Sequence, residues 1–444
     1  MSYSPLALIV TLAGGYMLFR LGFFFILHPF RTLGIAFRGA SKKGTARSLA
    51  LALSGTLGVG NVVGVALGII IGGAGSVFWM LISAIFATVL KYSEVVLASG
   101  EIYREKDGTH GGMHRVIARS FGKMGAPLAL IYTASVLILS LAMGAALQSA
   151  TLITTFGEIF DTPPIVSAVF LAIAVFLGVV GGTKIIERVA AIVIPVTTIL
   201  YIIICVSAII ICRERIPDVL RLILHSAFTP RAGVGGILGV ILSRPLSEGF
   251  SRGMLSNEAG AGTSSMAHAR GASLNPAVAG LMGGLEVVFD TVILSTLTAL
   301  AILTAVPDPT LYSDGMALVL AALTSALGSS AALPLLISVA AFAYSTVICW
   351  YFYGTEAVRA LFGGSGIGIF LPIYLLTVIF GPRLGIRPLV FICDLLLLVM
   401  SIITCTLIIK SSDRVRTLSE LGGVISPRKR KKVKLLRLNK SDHR

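Results

Sequence analysis

The chain has 444 residues, 56% hydrophobic and only 13% charged, with a mean hydropathy of +0.94, which excludes a soluble domain. Its net charge of +16 does not point to nucleic acid, because residues 411–444 alone hold eleven Lys and Arg against three acids. Basic clusters of that kind beside a membrane meet anionic lipid headgroups or simply fix topology.

Apolar stretches of roughly 20 residues, the length that crosses a bilayer, recur along the whole chain. They fall at 5–27, 48–72, 76–99, 126–155, 164–181, 188–212, 233–252, 277–305, 331–354, 366–382 and 388–410, which makes eleven. The first has its positive charges after the apolar run, the wrong order for a cleaved signal, so it reads as a helix. A polytopic chain can satisfy its backbone in lipid only as helices, and the expected class is an all-α membrane bundle. Between the first two spans, residues 28–47 carry Arg31, Arg38, Lys42, Lys43 and Arg47 and no acid, which places that loop in the cytoplasm. An odd number of spans then puts the N-terminus outside and the basic tail, with "RKRKK" at 428–432, inside. The 213–231 connection fits less well: Arg213, Arg215, Arg221 and Arg231 fall outside, beside Glu214 and Asp218, and suggest an interfacial helix.

The second span is interrupted by "SGTLGVGNVVG" at 54–64. Gly64, Gly68 and Gly72 repeat every fourth residue and suit close helix packing. Ser54 to Asn61 is different, since Gly55, Gly58 and Gly60 share no single face and each interior Gly weakens a helix by about 1 kcal/mol. Unwound backbone there frees carbonyls for a cation and N–H groups for an anion, and is tolerated only where it lines a cavity or is buried in protein. A second interruption, "RAGVGGILG" at 231–239, opens the seventh span with Gly233, Gly235, Gly236 and Gly239. Paired breaks in corresponding helices point to inverted repeats. The expected organisation is an extra helix at 1–27, a basic loop at 28–47, five-helix repeats at 48–212 and 233–410, and a basic tail at 411–444.

Polar residues within spans supply the other candidates. Lys91 and Glu94 lie three apart and read as an ion pair near the cytoplasmic end. His110 and His114 sit in a glycine-rich loop with a weak metal pattern. Gln148 lies on a small-residue face, "LAMGAALQSA", that would admit a ligand. Asn257 and Glu258 in "SNEAGAG" have no nearby His and do not form a nucleophile elbow. Glu286 and Asp290, four apart, could relay a proton or hold a gate. Ser345 and Thr346 offer hydroxyls to a hard cation, with Trp350 one turn on as a pocket wall or a packed aromatic. The five cysteines read as packing. The absence of a Walker-type loop or metalloprotease motif argues against ATP-driven transport and against an enzyme.

Together, "GVGNVVGVALGIIIGGAGSVFWM", "RGMLSNEAGAGTSSMAHA", "FDTVILSTLTA" and "YSTVICWYFYG", in order over about 50–360, resemble the alanine or glycine:cation symporters, the sodium:alanine symporter family. The resemblance implies a LeuT-like five-plus-five core behind one extra helix. It implies inward movement of alanine (L or D) or glycine with Na+ as coupling ion, across the plasma membrane. On this likeness the Val59 and Gly60 amides take the substrate carboxylate, with Thr56, Gly58, Gln148 and Trp350 in the pocket and Gly235, Gly236 and Gly239 toward the amino group. Carbonyls of Ser54 and Leu57 with hydroxyls of Ser345 and Thr346 form a Na+ site, and Thr56 and Asn61 contribute to a second. Glu94, Asp290, Asn257 and Glu258 are gating or coupling candidates, with "SNEAG" at the cytoplasmic end. The chain departs from the family at Val59, where Thr is usual, and in "QSA" after Gln148 where the family has "QAN". The rival readings are a proton-coupled permease using Asp290, Glu286 or Glu94, and an amino-acid sensor that transports nothing.

Overall fold

The computed structural model describes residues 5–40, 43–105, 108–228, 244–271 and 275–425. Pro5–Arg20 (α1) is followed by the amphipathic Pro29–Ala40 (α2), then by Lys43–Thr56 (α3) and Val63–Gly72 (α4). Gly75–Ser99 (α5) leads through a small hairpin, Tyr103–Glu105 (β1) with Gly108–His110 (β2), to the short Met113–Ser120 (α6). A long helix, α7, runs as Gly125–Leu139, a π-helical stretch Ser140–Leu147, and Gln148–Phe160. Pro164–Val179 (α8), Thr183–Ile211 (α9) and the amphipathic Ile216–Ala227 (α10) complete the first half.

The second half opens with Arg244–Asn257 (α11) and Ser264–Ala269 (α12). Next comes α13, built of Pro276–Val287, a π-helical stretch Val288–Ser295, and Thr296–Ala305. Gly315–Leu327 (α14), Ala332–Phe362 (α15), Ile367–Phe380 (α16), Ile386–Lys410 (α17) and Ser412–Leu421 (α18) follow. Among the described residues, seven helices are long and apolar enough to cross a membrane, and α3 with α4 makes an eighth span bent by 62°. The protein is an all-α multi-pass membrane protein, its outward faces carrying exposed apolar residues such as Leu12, Phe170, Val196 and Ile369.

Two features add to the sequence expectations, and two expected ones lie outside the described residues. Residues 306–330 were expected to be a plain connection, yet Gly315–Leu327 is an apolar helix too short to span, capped by Asp314 Oδ1 accepting from the Ala317 N–H at 2.8 Å. The basic tail begins as a helix: α18 packs against α1 and α5, where the Tyr92 hydroxyl donates to Ser419 Oγ at 2.5 Å and Arg20 pairs with Asp413. The glycine-rich 231–239 interruption, with Gly235, Gly236 and Gly239, lies outside the described residues, as does the "RKRKK" cluster.

The glycine stripe of α4 is used as packing predicts. A Cβ on Gly72 would stand 2.8 Å from the Glu248 Cβ, and one on Gly68 3.2 Å from the Arg252 Cγ, so α11 lies close along this face. Gly64 meets nothing within 4 Å and faces a cavity. On its other side α11 presses Gly249 and Gly253 onto Ser76 and Ser83 of α5. These approaches hold α4, α5 and α11 together around the centre of the bundle.

Candidate functional site

The first break begins where α3 ends. The Leu57 N–H still bonds the Leu53 carbonyl at 2.6 Å, but the Gly58 N–H turns away to Asn61 Oδ1 at 3.1 Å. Gly58 is extended, at φ −134° and ψ −162°, which carries the Val59 and Gly60 backbone off the axis of α3. The Ser54 carbonyl therefore receives no bond from the Gly58 N–H, as expected at a helix C-terminus without a cap. A helix end of this kind carries partial negative charge, while the amides beyond it carry partial positive charge.

Asn61 fixes the shape of this break. Its Nδ2 lies 2.7 Å from Asp290 Oδ1, 3.1 Å from Ser256 Oγ and 3.2 Å from Ser295 Oγ. Asp290 also accepts from Ser256 at 3.0 Å and from Thr291 at 2.7 Å. One buried amide thus ties the break to α11 and to the π-helical stretch of α13.

The second break among the described residues is 258–263, between α11 and α12. Glu258 has φ +52°, Gly260 +90° and Gly262 +76°, so the chain turns through left-handed geometry that costs little only at the glycines. Glu94 Oε1 accepts the Gly260 N–H at 2.6 Å, Asn257 Oδ1 accepts the Ala259 N–H at 3.0 Å, and the Tyr132 hydroxyl donates to the Ala261 carbonyl at 3.0 Å. "SNEAG", expected at the cytoplasmic end, packs against the first break, with Ser256 touching Asn61. Nor do Lys91 and Glu94 pair along one face. Lys91 Nζ lies 3.4 Å from Glu286 Oε2 and 2.9 Å from Ser264 Oγ, and Glu286 also meets His268. Glu286 and Asp290 serve separate clusters on either side of Val288, where α13 changes from α to π winding.

A cavity of about 210 Å³ opens between the two breaks. Thr56, Gly58, Val59, Gly60, Gln148 and Glu258 all line it, with Thr151, Thr154 and Thr155 of α7 higher up and Arg252, Asp314 and Asp394 toward one end. Gln148 Oε1 and Glu258 Oε1 are buried and have no hydrogen-bond partner, while Thr263 donates to Glu258 Oε2 at 2.7 Å. Buried polar atoms are normally paired, so two orphan acceptors on one cavity mark where a donor belongs.

Behind this wall, not on it, lie Ser54, Leu57, Asn61, Ser345 and Thr346. Thr346 Oγ1 reaches the Leu57 carbonyl at 3.4 Å, while Ser345 and Ser54 hydroxyls donate to the Phe342 and Leu51 carbonyls at 2.9 and 2.7 Å. Trp350 does not wall the cavity; it is fully buried, edge-on to Tyr353 and pressed against Gly144. Trp350→Phe is accordingly expected to cost about 1 kcal/mol of stability and leave ligand affinity unchanged, as a thermal melt and a binding isotherm would show. Sequence reading missed Ser256, Arg252, Asp314 and Asp394. The mixture of small residues with Asn and Glu in "SNEAGAG", so like "SGTLGVGN", was the available signal for the first.

A broken membrane span beside a second unwound stretch, with a cavity between them, fits a secondary transporter. The chain matches the sodium:alanine symporter family over residues 1–420 and belongs to it. It is 32% identical to the probable sodium/glutamine symporter of Bacillus subtilis, over 81% of this chain and 75% of the relative. It is 28% identical to the sodium/alanine symporter of Methanococcus maripaludis, over 85% of each. Its fold resembles a manganese transporter of Eremococcus coleocola, with a TM-score of 0.51 and 13% identity over 81% of this chain and 76% of that one.

Proposed function

We propose that this protein is a sodium-coupled symporter that imports a small neutral amino acid, alanine in L or D form or glycine, by alternating access. The observation that carries the reading is a pair of unpaired acceptors, Glu258 Oε1 and Gln148 Oε1, on one cavity with the Val59 and Gly60 backbone that the extended Gly58 carries out of the helix. Backbone amides beside two acceptors complement the carboxylate and ammonium of a zwitterion. The coupling Na+ sits at the C-terminal end of α3, held by the Ser54 and Leu57 carbonyls and the Ser345 and Thr346 hydroxyls, all hard oxygen donors. Thr56 is a candidate ligand for a second ion, whereas the Asn61 side chain is already committed to Gly58 and Asp290. Asn257, Glu94 and Asp290 act through the breaks they brace and not by touching the substrate.

In this reading the bundle is a LeuT-like five-plus-five repeat behind α1, in the plasma membrane, with the N-terminus outside. The basic α2 and tail lie at the cytoplasmic face among anionic lipids. The cavity then opens outward, toward Asp314 and Ile386. A Cβ on Gly58 would stand 2.9 Å from Thr346 Oγ1, so the break has no room for a side chain there.

Labelled alanine uptake into proteoliposomes tests this. Accumulation is expected with an inward Na+ gradient and absent when the gradient is collapsed. Thr346→Ala should raise the half-saturating Na+ roughly 5–10-fold, the loss of one ligand worth about 1 kcal/mol or slightly more. Uptake that follows pH and ignores Na+ would transfer the coupling role to Asp290, Glu286 or Glu94. Saturable binding without uptake would make the protein a sensor.

A further inference from the structure

A second cavity, of about 390 Å³, adjoins the central one and shares Arg252, Leu255, Val390 and Asp394 with it. Its remaining walls come from Pro5 and Leu6 of α1, from Glu248 of α11 and from Phe391 and Leu398 of α17. Three ionisable side chains on the wall of a gap between membrane helices require water, not lipid, inside it. The charged heads are also held in place. The stems of Glu248 and Arg252 lie against Gly72 and Gly68, and Arg252 Nε stands 3.4 Å from Glu248 Oε2. The Arg252 Nε is buried and makes no hydrogen bond of good geometry there.

A guanidinium flanked by two carboxylates, facing an apolar wall of Leu6, Phe391 and Leu398, is complementary to one class of ligand. We propose that this second cavity is an entry site for a zwitterionic amino acid with an apolar side chain. The ligand carboxylate meets Arg252, its ammonium meets Asp394 and Glu248, and its side chain lies against α1 and α17. The shared wall makes it the station before the central site, and it gives the leading helix α1 a direct part in binding. The ligand class rests on the proposed function; the site itself rests on the cavity and its charges.

Equilibrium dialysis of labelled alanine against the purified protein, carried to millimolar concentration, tests the proposal by stoichiometry. Wild type is expected to bind two molecules per chain. Leu6→Trp, which fills the second cavity and lines no part of the central one, should bind one, with central affinity unchanged. Leu398→Trp, from the opposite wall, should do the same and covers the case in which the first variant does not fold. Glu258→Gln should leave the entry site and weaken the other. One molecule per chain in wild type, or two in both Trp variants, overturns the entry site while leaving the transporter reading intact. No alanine binding at all in wild type overturns both readings, which separates the two failures.

Discussion

Replacing Glu258 with Gln is expected to weaken alanine binding roughly 2–30-fold while leaving the protein no less stable. The magnitude is the difference between a charge-assisted hydrogen bond, about 1.5–3 kcal/mol, and a neutral one of about 1 kcal/mol. Glu258 is 2% exposed, its Oε2 is bonded by Thr263 and its Oε1 has no partner. An unpartnered carboxylate oxygen held out of water is costly in the empty protein and repaid only when a cation arrives. The amide retains the Thr263 bond and removes the charge, so the empty variant should melt at the same temperature or higher. Glu258→Gly sharpens the contrast, because it also relieves a non-glycine residue at φ +52°, a strain of ~1–3 kcal/mol. That variant should melt higher still and transport nothing. Melts and binding isotherms on the three proteins decide the matter: unchanged affinity in Glu258→Gln removes the carboxylate from the site, and a lower melting temperature makes its role structural.

Much of the bundle was legible because lipid leaves few options for a backbone, so long apolar runs announce helices with little ambiguity. The first break was legible for a related reason, since a glycine cluster off any single face has no packing use and must serve geometry. The second expected break, at 231–239, lies outside the described residues, and the unwound stretch at 258–263 went unread. Glycines at 231–239 form the denser cluster, but at 258–263 just two glycines, Gly260 and Gly262, join Glu258 in left-handed angles, and polar partners from α5 and α7 hold the turn. Those partners, Glu94 and Tyr132, are 164 and 126 residues before Glu258, and no local pattern reveals them. The pairing of Lys91 failed likewise: spacing along α5 offered Glu94, but Glu286 on α13 lies across from it. Trp350 was misread because helical spacing tells which residues share a stripe, not which neighbour that stripe meets. A stripe on α15 wide enough to hold Thr346 and Trp350 touches the first break with one and α7 with the other.

Asn61→Ala should be the most damaging single change in the first break. The side chain closes the loop on itself through the Gly58 N–H at 3.1 Å and crosses to Asp290 Oδ1 at 2.7 Å. Its loss removes the bonds to Gly58 and to the Asp290 carboxylate, about 2–4 kcal/mol together, along with the contacts to Ser256 and Ser295, and leaves the Asp290 carboxylate held only by the Ser256 and Thr291 hydroxyls. Because Gly58 would be free to rejoin the helix, the Val59 and Gly60 amides should lose their aim, and uptake should vanish with the melting temperature lowered by several degrees. Asn61→Asp should be as bad for a different reason, placing two carboxylates within hydrogen-bond distance. The exchange variant, Asn61→Asp with Asp290→Asn, keeps one amide and one carboxylate in the pair and still offers an oxygen to Gly58. It should recover stability over Asn61→Asp, with a coupling energy of roughly 1–3 kcal/mol in a double-mutant cycle. Recovery would establish that the two halves of the bundle are latched through this contact. Additive losses would mean that the break holds its shape without Asp290 and that the latch lies elsewhere.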